Sequence, residues 1–301
     1  MRKRIFRMSD NHKLLDSYLT MINERLSEYI PDDGSELSQA MRYSLLCGGK
    51  RVRPVITLAF CRMCGKEESV ALPFACAIEM VHTYSLIFDD LPSMDNDDYR
   101  RGQLANHKVF GDAMAMLAGL GLYAKAFEIV TDVGDISEIP ASTLLRASNS
   151  LARASGLDGI IPGQAFDIKN NGTKKLSYDD ILNIHKLKTS AMLEISASLG
   201  CLAAGAEENV VSKAKEYAEK IGLAFQIRDD ILDVIGSEEK MGKTIGKDRE
   251  ESKTTFVDVF GVEKSQSYVR KYSKEAIQIL SYFDNNDFLV WFTGLLCDRE
   301  N

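Results

Sequence analysis

Proline is scarce in this sequence, with six residues in 301, and no Pro/Gly/Ser-rich stretch divides the chain. A chain of domains strung on flexible or polyproline linkers is therefore excluded. No window alternates apolar and polar residues as a half-buried strand would, and no hairpin turn signal stands out. No apolar run reaches the roughly 18 residues of a membrane span. The basic N-terminus MRKRIFRMSD leads into no apolar signal-peptide core, so a cytoplasmic protein is expected. Positive charge is in deficit too: net charge is -7, which argues against a nucleic-acid partner. HExxH is absent, as is any Cys/His ligand spacing, which disfavours zinc, and the P-loop pattern GxxxxGK[ST] is absent. The six cysteines (47, 61, 64, 76, 201, 297) lie mostly in apolar contexts. Cys61 and Cys64 form one CxxC with no second pair and no nearby histidine, and read as reduced core thiols rather than a metal or redox site.

What the sequence has in quantity is helix signal. LLDSYLTMINERLSEYI repeats apolar residues every three or four positions, and ELSQAMRYSLL puts Leu37, Met41 and Leu45 on one face. ESVALPFACAIEMVHTYSLIF is apolar nearly all round, the pattern of a buried helix. SYDDILNIHKLKTSAMLEISASLGCLAAG opens with Ser177 and Asp180 in capping-box spacing and closes at Gly205. A further long helix ends at Gly236, and loops are expected at 30–36, 168–176 and 236–252. The expectation is one all-α domain over residues 1–301, a bundle of about ten helices.

Two of these helices end in aspartate. In SLIFDDLPSMDNDDYRRG five aspartates fall within ten residues, and FQIRDDILD repeats the motif near the other end of the chain. Asp229 and Asp233 are spaced i, i+4, so both carboxylates leave one face of their helix, with Asp230 beside them. Carboxylates on a mostly apolar helix are costly without a cation. Asp89 and Asp95 would lie on different faces of an unbroken helix. Pro92 prevents an unbroken helix, and a break at Leu91–Pro92 could return Asp95 to the side of Asp89. Either cluster alone reads as a solvated acidic helix end. Together they read as a hard oxygen-donor site suited to Mg²⁺, which binds through one or two carboxylates and substrate phosphates.

The basic counterpart is CGGKRVRP, Cys47 to Pro54, where a helix ends at Gly48–Gly49 and the next begins near Pro54. Lys50, Arg51 and Arg53 sit beside helix N-terminal N–H groups, an arrangement that attracts phosphate, although by itself it is a basic turn. Arg100 and Arg101 follow the first aspartates, Lys188 and Thr189 lie mid-helix, and Lys243 and Lys253 follow the second aspartates. His82 lies two helical turns before Asp89, where a lone histidine reads first as a packed core residue. Scattered cations with two acidic clusters imply small polyanionic substrates, more than one diphosphate among them.

With GGKRVRP, EMVHTYSLIFDDLPSMDNDDYRRG, GQAFDI, KTS and FQIRDDILD in this order, the chain resembles the trans-prenyl diphosphate synthases from about Leu37 to Gly261. Within that family it is most like the bacterial farnesyl diphosphate synthases, which are short-chain isoprenyl diphosphate synthases. The resemblance implies an all-α isoprenoid-synthase fold around a central cavity, a homodimer, three Mg²⁺ ions, and isopentenyl and allylic diphosphates as substrates. It assigns Asp89, Asp95, Asp229 and Asp233 to metal, and places Asp90, Asp230 and Lys188 with them in catalysis. Lys50, Arg53, His82 and Arg101 would hold isopentenyl diphosphate. Arg100, Lys188, Thr189, Gln226, Lys243 and Lys253 would surround the allylic diphosphate.

Tyr84 and Ser85 lie five and four residues before Asp89, one turn deeper along the helix. The resemblance makes them chain-length residues. A bulky Tyr84 would stop growth at C15, farnesyl, with C20 as the alternative; a core aromatic without a gating role is the other reading. Ser190 stands where the family has Gly, Pro162 where Gly is common, and Phe88 where His is frequent. A terpene cyclase would not need Lys50, Arg53 and Arg101 for a second diphosphate. A non-catalytic subunit of a heteromeric synthase should have lost aspartates, and both sets are present.

Overall fold

Helix follows helix because the apolar residues recur with helical period and little proline interrupts them. The structure, a computed structural model, describes residues 2–132, 139–170, 178–235 and 255–297. Ser177, Gly236, Lys243 and Lys253 lie outside the described residues. The chain divides into two compact units, one of Met1–Asn149 with Ser198–Glu207, the other of Ser150–Ala197 with Glu208–Asn301.

The first unit holds α1 (Arg2–Tyr29), α2 (Glu36–Leu46), α3 (Val52–Met63), α4 (Leu72–Asp89), α5 (Asn106–Phe110) and α6 (Asp112–Thr131). Tyr18, Ile22 and Leu26, one turn apart on α1, are fully buried. Ser35 caps α2, its side chain accepting from the Ser38 N–H. Met41 and Leu45 face inward as their spacing predicts, whereas Leu37, in the first turn, is exposed. The central helix is α4: almost every residue from Leu72 to Val81 is buried, as its all-round apolarity predicts. It packs against α6, whose buried face is mostly small: Ala115, Ala118, Gly119, Leu122 and Ala126. Gly119 is required there, since a Cβ would stand 2.7 Å from the Phe88 ring. By length and composition α6 is apolar enough to cross a membrane, although no uncharged run in the sequence reaches that length.

The second unit holds α8 (Ile160–Asn170), α9 (Tyr178–His185), α11 (Glu208–Ile235), α12 (Phe256–Phe260), α13 (Val262–Leu280) and α14 (Asp287–Cys297). The helices α7 (Ala141–Ser155) and α10 (Ala191–Ala203) have residues in both units. Its spine is α11, which buries Val211, Ala214, Tyr217, Ala218 and Ile221 and packs against α13. Tyr217 is fully buried and hydrogen-bonds the Thr293 hydroxyl of α14 at 2.9 Å. A capping box of Thr255 and Asp258 starts α12.

Two local features depart from the sequence expectation. A hairpin of two-residue strands, β1 (Tyr99–Arg100) and β2 (Gln103–Leu104), follows the first aspartates. Its turn is Arg101–Gly102, both at positive φ (54° and 77°), the twist a two-residue hairpin requires. Strands this short carry no alternation to detect. The second departure is a π-helical turn over Lys186–Ser190, joining α9 to α10 where one continuous helix is expected. Such turns carry an extra residue and often mark functional positions.

Candidate active site

The first acidic cluster is assembled by a broken helix end. The last regular turn of α4 closes with Asp90 N–H donating to Leu86 O and Leu91 N–H to Phe88 O. Beyond Pro92 the chain folds back, and the Asp95 N–H donates to the Asp89 carbonyl at 2.9 Å. Asp95 thus returns to Asp89, as the proline break predicts. Asp90 takes a different course. Its carboxylate is buried and engages Arg100, with Arg100 Nε 2.9 Å from Oδ1 and 3.2 Å from Oδ2 and a further contact from Nη2. Arg100 also reaches Asp97 at 3.1 Å. Burial lifts the Asp90 carboxyl above its ordinary range, and the Arg100 guanidinium pulls the other way.

The basic loop meets the hairpin. Gly48 and Gly49 run at positive φ, and Arg101 Nη1 donates to the Gly48 carbonyl at 2.7 Å. A Cβ on Gly49 would lie 2.9 Å from the Arg101 guanidinium carbon, so only glycine admits this approach. Arg51, which the sequence groups with Lys50 and Arg53, turns inward. It is buried at φ 46° and bonds Glu79 Oε1 (2.8 Å), Leu45 O (2.7 Å) and Asn23 Oδ1 (3.0 Å). Glu79, itself buried, also pairs with Arg101 at 3.7 Å. This Arg51–Glu79 clamp is absent from the sequence reading. A glutamate inside an apolar helix is the one signal that could have revealed it. Lys50 stays exposed, and Arg53 is half-buried in the first turn of α3 rather than in the loop.

His82, half-buried on α4, completes this group. Burial, with the positive charges of Arg53, Arg101, Arg100 and Arg51, holds its pKa well below 6.5. At neutral pH it is an uncharged donor and acceptor among cations. Lys50, Arg53, His82 and Arg101 therefore lie on adjoining parts of one unit, with Arg100 on the same hairpin. Ser85 turns back to the His82 carbonyl at 2.9 Å. Tyr84 is half-buried in an aromatic row, its ring centroid 4.8 Å from Phe88 and 4.9 Å from Tyr123. Phe88, in place of the family's frequent histidine, owes its room to Gly119.

In the second unit, Asp229, Asp230 and Asp233 all lie on α11, and the last two are buried. Asp230 accepts from the Phe256 N–H at 2.9 Å and from Gln226 Nε2 at 3.2 Å, and His185 Nε2 lies 3.5 Å away. Gln226 Oε1 in turn accepts from the Thr189 hydroxyl at 2.7 Å. A chain of contacts thus runs from the π turn through Gln226 and Asp230 to the start of α12. Ser190, where the family has glycine, is fully buried. It fits because its neighbour is Gly222, whose Cβ would stand 2.5 Å from the serine Oγ. Lys188 lies on the same π turn. Gln164, in the GQAFD stretch of α8, is buried with both amide atoms unpartnered, an open polar group that the sequence reading passed over.

A family model described as polyprenyl synthetase matches residues 34–286. The chain belongs to the polyprenyl synthetase family. It is 48% identical over 246 residues to the farnesyl diphosphate synthase of Geobacillus stearothermophilus, covering 81% of this chain and 82% of that protein. It is 39% identical to geranylgeranyl pyrophosphate synthase 4 of Arabidopsis thaliana, covering 99% and 86%. Among solved structures it resembles an FPP/GFPP synthase from Zymomonas mobilis, with TM-score 0.85 and 33% identity over 96% of this chain and 99% of that one. The fold is the all-α isoprenoid-synthase fold, and the activity class is prenyl transfer, joining isopentenyl diphosphate to an allylic diphosphate.

The family's Mg²⁺ can be tested against these residues. Among the described residues no three His, Cys, Asp or Glu side chains gather as a self-sufficient metal cage. Mg²⁺ does not need one, since it binds through one or two carboxylates and completes its shell with water and substrate phosphates. Asp89 with Asp95, and Asp229 with Asp233 one turn apart, are pairs of that kind, so the donor sets fit.

Proposed function

We propose that this chain condenses isopentenyl diphosphate with dimethylallyl and then geranyl diphosphate, and releases farnesyl diphosphate and inorganic diphosphate. The observation that carries the C15 reading is Tyr84, one turn below Asp89 and braced by Phe88 and Tyr123, where a lengthening tail would meet an aromatic wall. Geranylgeranyl diphosphate is the second reading, favoured by the relatives that carry that name.

Asp89 and Asp95 would hold metal in one unit, and Asp229 with Asp233 in the other. Mg²⁺, when bound, neutralises the diphosphate that leaves the allylic carbon. Thr189 and Gln226 would hold the allylic diphosphate, a set that the family resemblance extends to Lys188, Arg100, Lys243 and Lys253, and preorganised donors favour its departure. Lys50, Arg53, His82 and Arg101 would hold isopentenyl diphosphate so that its double bond faces the allylic cation. Exclusion of water would protect the cation, a new C–C bond forms, and the proton is lost to the departed diphosphate. Asp90 and Asp230 serve as positioning residues: one fixes Arg100, the other fixes Gln226 and the start of α12.

The family match runs through both units, which supports one polyprenyl synthetase domain over residues 1–301. Six free cysteines support a cytoplasmic location. The exposed apolar face of α6, Met116, Leu117 and Leu120, supports a homodimer, to be checked by sedimentation. The test of the reaction is product analysis. Purified protein is incubated with Mg²⁺, isopentenyl diphosphate and each of dimethylallyl, geranyl and farnesyl diphosphate, and the dephosphorylated alcohols are separated. Farnesol from the first two, with little product from the third, supports C15. Geranylgeraniol sinks the chain-length assignment and keeps the reaction. No Mg²⁺-dependent product from the chain alone points to a non-catalytic subunit.

A further inference from the structure

The CxxC of α3 has no part in prenyl transfer, and its two thiols do not face the same neighbourhood. Cys61 is fully buried, its Sγ 3.4 Å from the Glu67 carbonyl. Cys64 caps the C-terminus of α3 and is half-exposed. Its partner is Cys201 of α10, 137 residues away in sequence, with Sγ–Sγ 3.7 Å. Both residues belong to the first unit.

The closeness follows from how α10 meets α3. At Gly200 the two backbones nearly touch: a Cβ there would stand 2.2 Å from the Thr57 carbonyl and 3.0 Å from Phe60 Cβ. A glycine contact of this kind brings helices closer than side chains otherwise allow. The next residue, Cys201, is therefore pressed against the end of α3.

We infer that Cys64 and Cys201 form a reversible disulfide when the protein meets a peroxide or a low-molecular-weight disulfide, making this pair an oxidant-responsive modification site. The chemistry is divided between the two thiols. Cys64 is reachable from solvent and attacks one peroxide oxygen; the O–O bond breaks, giving a sulfenic acid and, with its proton, water. Cys201, shielded from solvent and already in van der Waals contact, attacks that sulfur. The S–S bond forms, and the hydroxyl leaves with the Cys201 proton as a second water. Two thiols are oxidised and one peroxide is reduced. With a disulfide as oxidant, exchange through a mixed disulfide at Cys64 gives the same link and two small thiols. The hydrogen bond with Cys201 pulls the Cys64 thiol below its ordinary pKa, while burial pushes Cys61 and Cys76 up, so selectivity for Cys64 agrees with the geometry. Closure ties the end of α3 to α10 across a long stretch of chain, which restricts the unfolded state.

The test uses the full chain, treated with a small excess of hydrogen peroxide or with oxidised glutathione, blocked with iodoacetamide and digested with trypsin. Cleavage after Arg62 and Lys66 isolates Cys64 from Cys61. The expected result is a cross-link between the Met63–Lys66 peptide and the peptide carrying Cys201, with two of the six thiols lost and both recovered by dithiothreitol. The link should persist in Cys61→Ser and vanish in Cys64→Ser and in Cys201→Ala. A Cys61–Cys64 link, six intact thiols after prolonged treatment, or Cys64 driven to sulfinic acid beside a free Cys201 thiol would each overturn the inference. Once the cross-link is confirmed, the oxidised chain should melt at a higher temperature than the reduced one. An unchanged midpoint would refute the restraint on the unfolded state.

Discussion

At the end of α4 a buried aspartate, Asp90, is held by a side-chain cation, Arg100; on α11 a buried aspartate, Asp230, is held by the Phe256 backbone N–H and the Gln226 amide. In each cluster the middle aspartate is buried and anchored by these bonds, and the flanking residues, Asp89 and Asp95 or Asp229 and Asp233, are the ones proposed for metal. The anchors differ in kind. The first relies on opposite charge at a hairpin whose turn contains an arginine in the left-handed region. The second relies on hydrogen-bond geometry at a capped helix start. A charge anchor fixes a mobile polar side chain, whereas a backbone anchor fixes where the chain goes next.

The comparison breaks most visibly if the flanking aspartates are removed. Asp89→Ala and Asp229→Ala should each lower kcat by about 10²-fold or more, through lost support of the leaving diphosphate. Circular dichroism and melting should stay near wild type. Near-normal turnover from either variant would end its assignment to metal.

The anchors themselves come next. Asp90→Asn removes the charge partner of Arg100 but leaves Asp97 within reach, and should cost about 2–3 kcal/mol. Asp230→Asn keeps an acceptor for the Phe256 N–H and should cost about 1 kcal/mol. Urea unfolding of the two variants measures both. Equal losses would mean that the anchors do not differ as described. In kinetics, Asp230→Asn should raise KM for the allylic substrate more than for isopentenyl diphosphate, because Gln226 and Thr189 lose their fixed orientation.

A smaller effect concerns the first region alone. Tyr84→Ser should move the main product from C15 to C20 with modest change in kcat, read by chromatography of the alcohols. Gly119→Ala should disturb the same wall from behind, by crowding Phe88, and cost about 1–3 kcal/mol.

The smallest effect separates charge from geometry in the second region. Burial and the nearby Glu219 push the Glu194 carboxyl up to about 7, with Lys215 and Lys186 opposing. The folded state then binds more protons than the unfolded state between pH 4.5 and 7, so this contribution to stability is present at low pH and lost as pH rises through 7. Glu194→Gln should raise the melting midpoint by about 2 °C at pH 8 and leave it unchanged near pH 5. His82 has the opposite sign. Its lowered pKa lets the unfolded chain take the proton first, so stability is full above 6.5 and falls as pH drops below it.

Much of this molecule follows from local sequence alone. The apolar periods of α1, α4 and α11 dictate helices and which faces they bury, because helix period depends only on neighbours within a few residues. Pro92 dictates the break that returns Asp95 to Asp89, for the same local reason. The i, i+4 spacing of Asp229 and Asp233 and the family motifs are equally visible in one dimension. Only tertiary structure decided that Arg51 turns inward to Glu79 while Arg101 reaches Gly48. It likewise set Tyr84 against Tyr123, left Gly222 to make room for Ser190, and paired Cys64 with Cys201 instead of Cys61. Those choices join residues tens of positions apart, and a buried hydrogen bond or close helix contact leaves no period in the sequence. They exist because buried polar groups must find partners and glycines admit close approach, and which partner is within reach is a property of the folded chain.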